Sequence, residues 1–162
     1  MSIVIRKAER KDVPKLIKLI AALAEFENLA PQTKEAQDRF IEDGWPENGD
    51  RPKFTAWLAE ATHPENGTTG DAAYAITFYT YSSFLARQTL YLEDLFVMPA
   101  FRRMGVATAM MKALVSEAKL NRCGRFEWVV LDWNEDAQTF YRKLGAEHQK
   151  EWQSYRMTLK SD

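Results

Sequence analysis

Two adjacent carboxylates, Glu93 and Asp94, interrupt an apolar run that reads Tyr91-Leu92 before them and Leu95-Phe96-Val97-Met98 after them. Withdrawing a carboxylate from water is costly unless it has a partner or a task. A pair at the centre of such a run points to proton transfer or to binding a cation. Neighbouring strand residues face opposite sides, so the two should do different jobs unless a bulge re-aims one. A few residues on, Arg102-Arg103-Met104-Gly105-Val106-Ala107-Thr108 leads from that strand into a helix rich in Ala, Met and Leu. Helix N-terminal amides, a permissive glycine and two arginines can cradle a diphosphate. An ordinary strand-to-helix turn with solvated arginines fits these residues equally well. Neither G-x-G-x-x-G nor G-x-x-x-x-G-K-[ST] occurs, which argues against the dinucleotide and P-loop ways of holding phosphate.

Other residues carry chemistry only in context. Tyr141, beside Phe140, offers a phenol that can donate a proton or simply pack on a helix. Asn134, just before Glu135-Asp136, is a good N-cap by type. Cys123 is the sole cysteine, so no internal disulfide and no zinc site follow from it, and it reads as a structural thiol. No metal site is expected. Trp45, Trp57, Trp128 and Trp133 read as packing, Met110-Met111 as helix core, and Trp152 as either a pocket wall or core. His63 falls in a turn, and His148 has no visible partner.

The elements that must position these groups follow from periodicity. Strands are expected over 3–8, 54–61, 72–81, 90–98, 126–131 and 152–159, and helices over 33–43, 106–120 and 135–144. A further helix starts from Asp12 and Pro14, with Leu16, Ile17, Leu19, Ile20, Leu23 and Phe26 on one face. The order β-α-α-β-β-β-α-β-α-β, without repeats or a linker, gives one mixed α/β domain over 1–162 with an antiparallel front half and a parallel pairing around the central helix. A net charge of -1 gives no basic excess for holding nucleic acid. No run approaches the ~18 apolar residues of a membrane span, and no leader is evident. The default location is the cytoplasm.

In register, Tyr91 to Met98, Arg102 to Ala107, Trp133-Asn134 and Phe140-Tyr141-Arg142-Lys143-Leu144-Gly145-Ala146 resemble the GNAT acetyltransferase superfamily and, within it, the diamine acetyltransferase branch. That branch includes spermidine/spermine acetyltransferases and their thialysine-acetylating relatives. Weaker similarity at Ile5-Arg6, Leu23 to Glu27 and Glu42-Asp43-Gly44 extends it over nearly the whole chain. The resemblance implies a mostly antiparallel twisted sheet with flanking helices and a splayed central strand pair. It also implies acetyl-CoA as co-substrate and a homodimer. Leu95, Phe96 and Val97 would hold the pantetheine like an added strand, Arg102 to Thr108 the diphosphate, and Asn134 the CoA chain. Glu93 is assigned as general base, directly or through water, and Tyr141 as the acid for the leaving thiolate. Phe26, Glu27, Asp94 and Trp152 fall to the acceptor, with a structural role the alternative for Asp94 and a plain surface position the alternative for Glu27.

The chain departs from the polyamine-specific pattern. Ser82 and Phe84 stand where those members carry Asp and Trp, and Phe26 replaces a Tyr. Leu131-Asp132-Trp133-Asn134 is closer to the thialysine type, and Ala107 is a common variant of the loop's second glycine. The expected reaction is therefore acetyl transfer to the primary amine of a small cation: thialysine, a lysine-like molecule or a diamine. Another acceptor (an amino acid, an aminoglycoside, a protein N-terminus) is the alternative. So is a non-catalytic acetyl-CoA-binding module, against which Glu93 and Tyr141 together speak.

Overall fold

The computed structural model describes residues 2–160. The chain runs β1 (Ile3–Lys7), α1 (Val13–Phe26), α2 (Lys34–Gly44), β2 (Thr55–Thr62), β3 (Thr69–Ser82), β4 (Arg87–Val97), α3 (Val106–Leu120), β5 (Arg125–Trp128) and α4 (Glu135–Lys143). The strands form one sheet in sequence order. The first four pair antiparallel, and β5 lies parallel to β4. The mixed α/β class and the antiparallel-then-parallel plan both hold. The chain groups into two compact units, one ending at Trp128 and carrying the whole sheet, the other beginning at Val129 and carrying α4.

Sequence periodicity becomes packing on both faces of the sheet. Leu16 and Leu19 of α1 are buried with Ala56, Leu58, Tyr74, Ile76 and Phe96 on one face. On the other, Trp57 Nε1 donates to Thr77 Oγ1 at 2.9 Å, and Lys7 reaches Glu117 of α3 at 2.7 Å. Asp12 stands at the N-cap position of α1, but its carboxylate does not cap that helix. It accepts two bonds from Arg6, at 2.7 and 2.8 Å, and one from the Glu9 amide. This bidentate pairing ties β1 to the start of α1 and holds the Asp12 carboxyl well below the usual carboxylate range. α2 is capped by Thr33, whose Oγ1 accepts from the Ala36 amide. Its last residue is Gly44, where a Cβ would meet the Phe54 ring at 2.6 Å. That ring stacks on Phe40 and meets Trp45 edge-on.

In the second unit, Asn134 Oδ1 accepts from the Ala137 amide and starts α4. Glu135 and Asp136 lie in its first turn and Arg142 and Lys143 in its last, as the helix dipole favours. Two strand expectations need correction. The strand expected over 126–131 stops at Trp128, and no strand forms over 152–159 among the described residues. Alternating apolar residues suggest a strand, but a strand exists only where another backbone accepts its hydrogen bonds. Trp152, Tyr155, Met157 and Leu159 are accordingly exposed.

Candidate active site

β4 changes character halfway along. Its parallel ladder with β5 covers Thr89 to Leu92 and then ends. Its antiparallel ladder with β3 continues to Val97. From Glu93 onward β4 is therefore paired on one side only, which is the splay that the resemblance implies. The Met98 amide donates to the Ala72 carbonyl at 2.8 Å. Since successive amides of a strand point to opposite edges, those of Leu95 and Val97 face the open side. That edge presents donors and acceptors at the spacing an extended, amide-bearing ligand requires.

The splay begins at a bulge. Ile76 pairs with Asp94 and Thr77 with Leu92, so Glu93 is the extra residue without a partner in β3. Simple alternation would put Leu92 and Asp94 on the same face. The bulge instead turns Asp94 onto the α1 face, beside Tyr74 and Phe96. The two carboxylates end up in different surroundings. Glu93 is exposed, contrary to the burial that its apolar flanks suggest. Asp94 is half-buried and accepts a hydrogen bond from the Tyr74 hydroxyl at 3.0 Å. Burial pushes the Asp94 carboxyl up to about 6; the Tyr74 bond opposes this, and the charges of Glu93 and Glu27 add to it. Tyr74 itself is fully buried, and burial and the same carboxylates drive its phenol far above the usual range. It stays a donor at any ordinary pH.

Glu27 follows α1 as its C-cap, and Phe26 packs on Phe96 with ring centroids 5.9 Å apart. Phe26, Glu27, Glu93 and Asp94 thus come together where the end of α1 meets the open half of β4. Among the described residues no acidic or histidine cluster is arranged to hold a metal ion.

At the end of β4, the loop enters α3 through two left-handed residues, Arg103 at φ +61° and Gly105 at φ +83°. A Cβ on Gly105 would meet no protein atom within 4 Å, so the glycine is required by its backbone angle and the space ahead of it is open. The first intrahelical bond runs from the Ala109 amide to the Gly105 carbonyl. This leaves the amides of Val106, Ala107 and Thr108 without helical partners and pointing out of the helix start. The loop therefore fits a diphosphate by its backbone. Its first arginine is turned elsewhere: Arg102 Nε donates to the Val97 carbonyl at 3.0 Å, and its guanidinium lies 5.4 Å from both the Phe26 and Phe96 rings. Arg103 is exposed beside it, and Met104 is half-buried.

The remaining expected residues lie in the second unit. Tyr141 is half-buried on α4, and burial raises its phenol. Asn134 serves as the cap, as its type suggests. Trp152 is 81% exposed, which excludes the core reading for it. Trp133 is also more than half exposed. Ser82 is buried, and its Oγ accepts from the Leu85 amide across the β3–β4 turn, while Phe84 is fully exposed at that turn. Cys123 is half-buried, and burial raises its thiol, as suits a structural role. Sequence reading missed Tyr74. It stands in the apolar run Ala72 to Ile76, and only the β3–β4 register brings it to Asp94.

Comparison with known proteins gives this geometry a context. Residues 20–146 match the acetyltransferase (GNAT) family model. The thialysine N-epsilon-acetyltransferase of Mus musculus is 36% identical over 158 residues, covering 94% of this chain and 90% of the mouse protein. The L-ornithine N5-acetyltransferase of Arabidopsis thaliana is 40% identical over 87 residues, 54% of this chain and 38% of the plant protein. A solved structure described as a probable acetyltransferase superposes over the full length of both chains with a TM-score of 0.77 at 20% identity, a likeness of fold.

Proposed function

The chain belongs to the GNAT family of acetyltransferases, enzymes that use acetyl-CoA as co-substrate, and from that premise we propose that its acceptor is the primary amine of a small cation: thialysine, a lysine-like molecule or a diamine. The observation that carries this reading is the half-buried Asp94 carboxylate, on which the charges of Glu27 and Glu93 both act at the point where β4 loses its partner. Such a group is relieved by a cation. The mouse relative's substrate, an amino acid whose side chain ends in an amine, supports a short acceptor. Ser82 and Phe84, standing where polyamine members carry Asp and Trp, point the same way.

An alkyl amine arrives protonated, with a pKa near ~10.4 like that of lysine. In the proposed reaction Glu93 takes the ammonium proton, directly or through water. The freed nitrogen attacks the thioester carbonyl, the C–S bond breaks, the Tyr141 phenol gives its proton to the departing thiolate, and the nitrogen's second proton returns to the Tyr141 oxygen to leave the neutral amide. The open-edge amides of Leu95 and Val97, with Phe96 between them, grip the pantetheine, and a backbone amide at the bulge polarises the carbonyl. Amides from Gly105 to Thr108 hold the diphosphate, with Arg102, Arg103 and Met104 at the rim and Asn134 on the CoA chain. Phe26, Glu27, Asp94 and Trp152 are the residues assigned to the acceptor. A homodimer in the cytoplasm belongs to the same reading, and light scattering of the purified protein tests the dimer.

The direct assay is release of CoA thiol with thialysine, lysine and spermidine as competing acceptors. Preferred turnover of thialysine is expected. No release with any amine, despite tight binding of acetyl-CoA, would overturn the reading.

A further inference from the structure

Asp94 and Tyr74 form a built pair. Tyr74 is fully buried, packed among Leu16, Leu19, Leu58, Ile76 and Phe96, so its ring has little freedom and its hydroxyl is aimed by the core. That hydroxyl donates to Asp94 Oδ2. Asp94 reaches it only because the bulge at Glu93 reverses the facing of the strand. The bond spends one lone pair of one oxygen. A carboxylate accepts about four hydrogen bonds, so Oδ1 retains its full capacity.

We propose that Tyr74 is a positioning residue for the acceptor: from inside the core it holds Asp94 by Oδ2 and leaves Oδ1 free to take the substrate's ammonium. This rests on the reading that the acceptor is a cationic amine. The groups that act on Asp94 are Tyr74 from β3, Glu27 from the end of α1 and Glu93 from β4, and none of these is a cation. The nearby Arg102 is bound to the Val97 carbonyl and lies over Phe26 and Phe96. A substrate ammonium would supply the counter-charge that Asp94 receives from none of those groups.

The device carries a pH dependence of known sign. Tyr74 keeps its proton, so it cannot exchange roles with Asp94. When Asp94 protonates, its new proton goes to the oxygen that Tyr74 does not hold, and the ammonium loses its acceptor. Acceptor binding should therefore weaken as pH falls through about 6. Removing the Tyr74 hydroxyl removes the interaction that holds the carboxylate down, so that midpoint should rise.

The test titrates Asp94 directly by carbon-13 resonance of labelled aspartate carboxyls in the full chain, with Asp94→Asn identifying the signal. The parent midpoint should lie near 6. Tyr74→Phe should raise it by roughly half a unit or more, and added thialysine should lower it in the parent. A midpoint unmoved by Tyr74→Phe, or by saturating thialysine, overturns the proposal. If both shifts occur while no amine is acetylated, the cation anchor stands and the transfer reaction falls. Should Tyr74→Phe fail to fold, Asp94→Asn carries the test, because it keeps an acceptor for the Tyr74 hydroxyl. It should raise the acceptor KM about tenfold with the acetyl-CoA KM unmoved. An unmoved acceptor KM overturns the proposal.

Discussion

The two halves of β4 belong to one continuous strand and have different fates. From Thr89 to Leu92 the strand is laddered on both sides, and Thr89, Leu90 and Leu92 are buried. From Glu93 to Val97 it is laddered on one side, carries two carboxylates and leads into a loop with two left-handed residues. The first half spends its backbone on the fold. The second keeps one edge of its backbone for something else, and a single bulged residue separates the two. A strand can thus serve as core and as binding surface at once, provided its partner ends partway.

The largest effects should come from the groups proposed to move protons. Glu93→Gln, at the boundary of the two halves, should lower turnover about 100-fold and flatten the rise of rate with pH. A wild-type pH profile in that variant would assign the base to water or to another group. Tyr141→Phe should lower turnover by a similar factor, about 100-fold, while leaving acetyl-CoA affinity nearly unchanged. Unchanged turnover removes Tyr141 as the acid.

A second pair of variants sharpens the division along β4. Val97→Pro deletes an amide that faces the open edge and no β3 ladder bond. It should weaken acetyl-CoA binding about tenfold with the fold retained. Leu90→Ala, in the closed half, should do the opposite and cost about 2–4 kcal/mol of stability in urea melts with little change in either KM. The contrast collapses if both variants act on stability alone.

How much of this was legible in the sequence follows the range of the interactions. The helix over 106–120 is set by local periodicity and a left-handed glycine, and its bounds agree with the structure. The cap at Asn134 is likewise local. Asp12 shows where local rules give way, since its position is that of a cap but Arg6 claims its carboxylate. The bulge at Glu93 depends on how β3 pairs, so alternation within β4 could not say which face Asp94 takes. Tyr74 lies twenty residues from Asp94, and no spacing rule links them. The segment 152–159 alternates like a strand, yet alternation does not supply a pairing partner.

A further effect is on stability against pH. The folded chain keeps the Asp94 proton to about pH 6, whereas an unfolded aspartate loses it near ~4. Between those values the folded state binds the extra proton, so Asp94's contribution to stability falls as pH rises through that window. Asp94→Asn should remove that part of the slope in thermal melts taken from pH 4 to 6. A slope identical in both proteins would mean that Asp94 titrates normally.

The open half of β4 as the docking edge for acetyl-CoA is tested most directly by amide hydrogen exchange read residue by residue, with and without CoA. The amides of Leu95 and Val97 should slow strongly on adding CoA, with those of Val106 to Thr108 following, while Leu90 and Phe96 change little. Protection that leaves Leu95 and Val97 untouched would contradict the assignment of that edge.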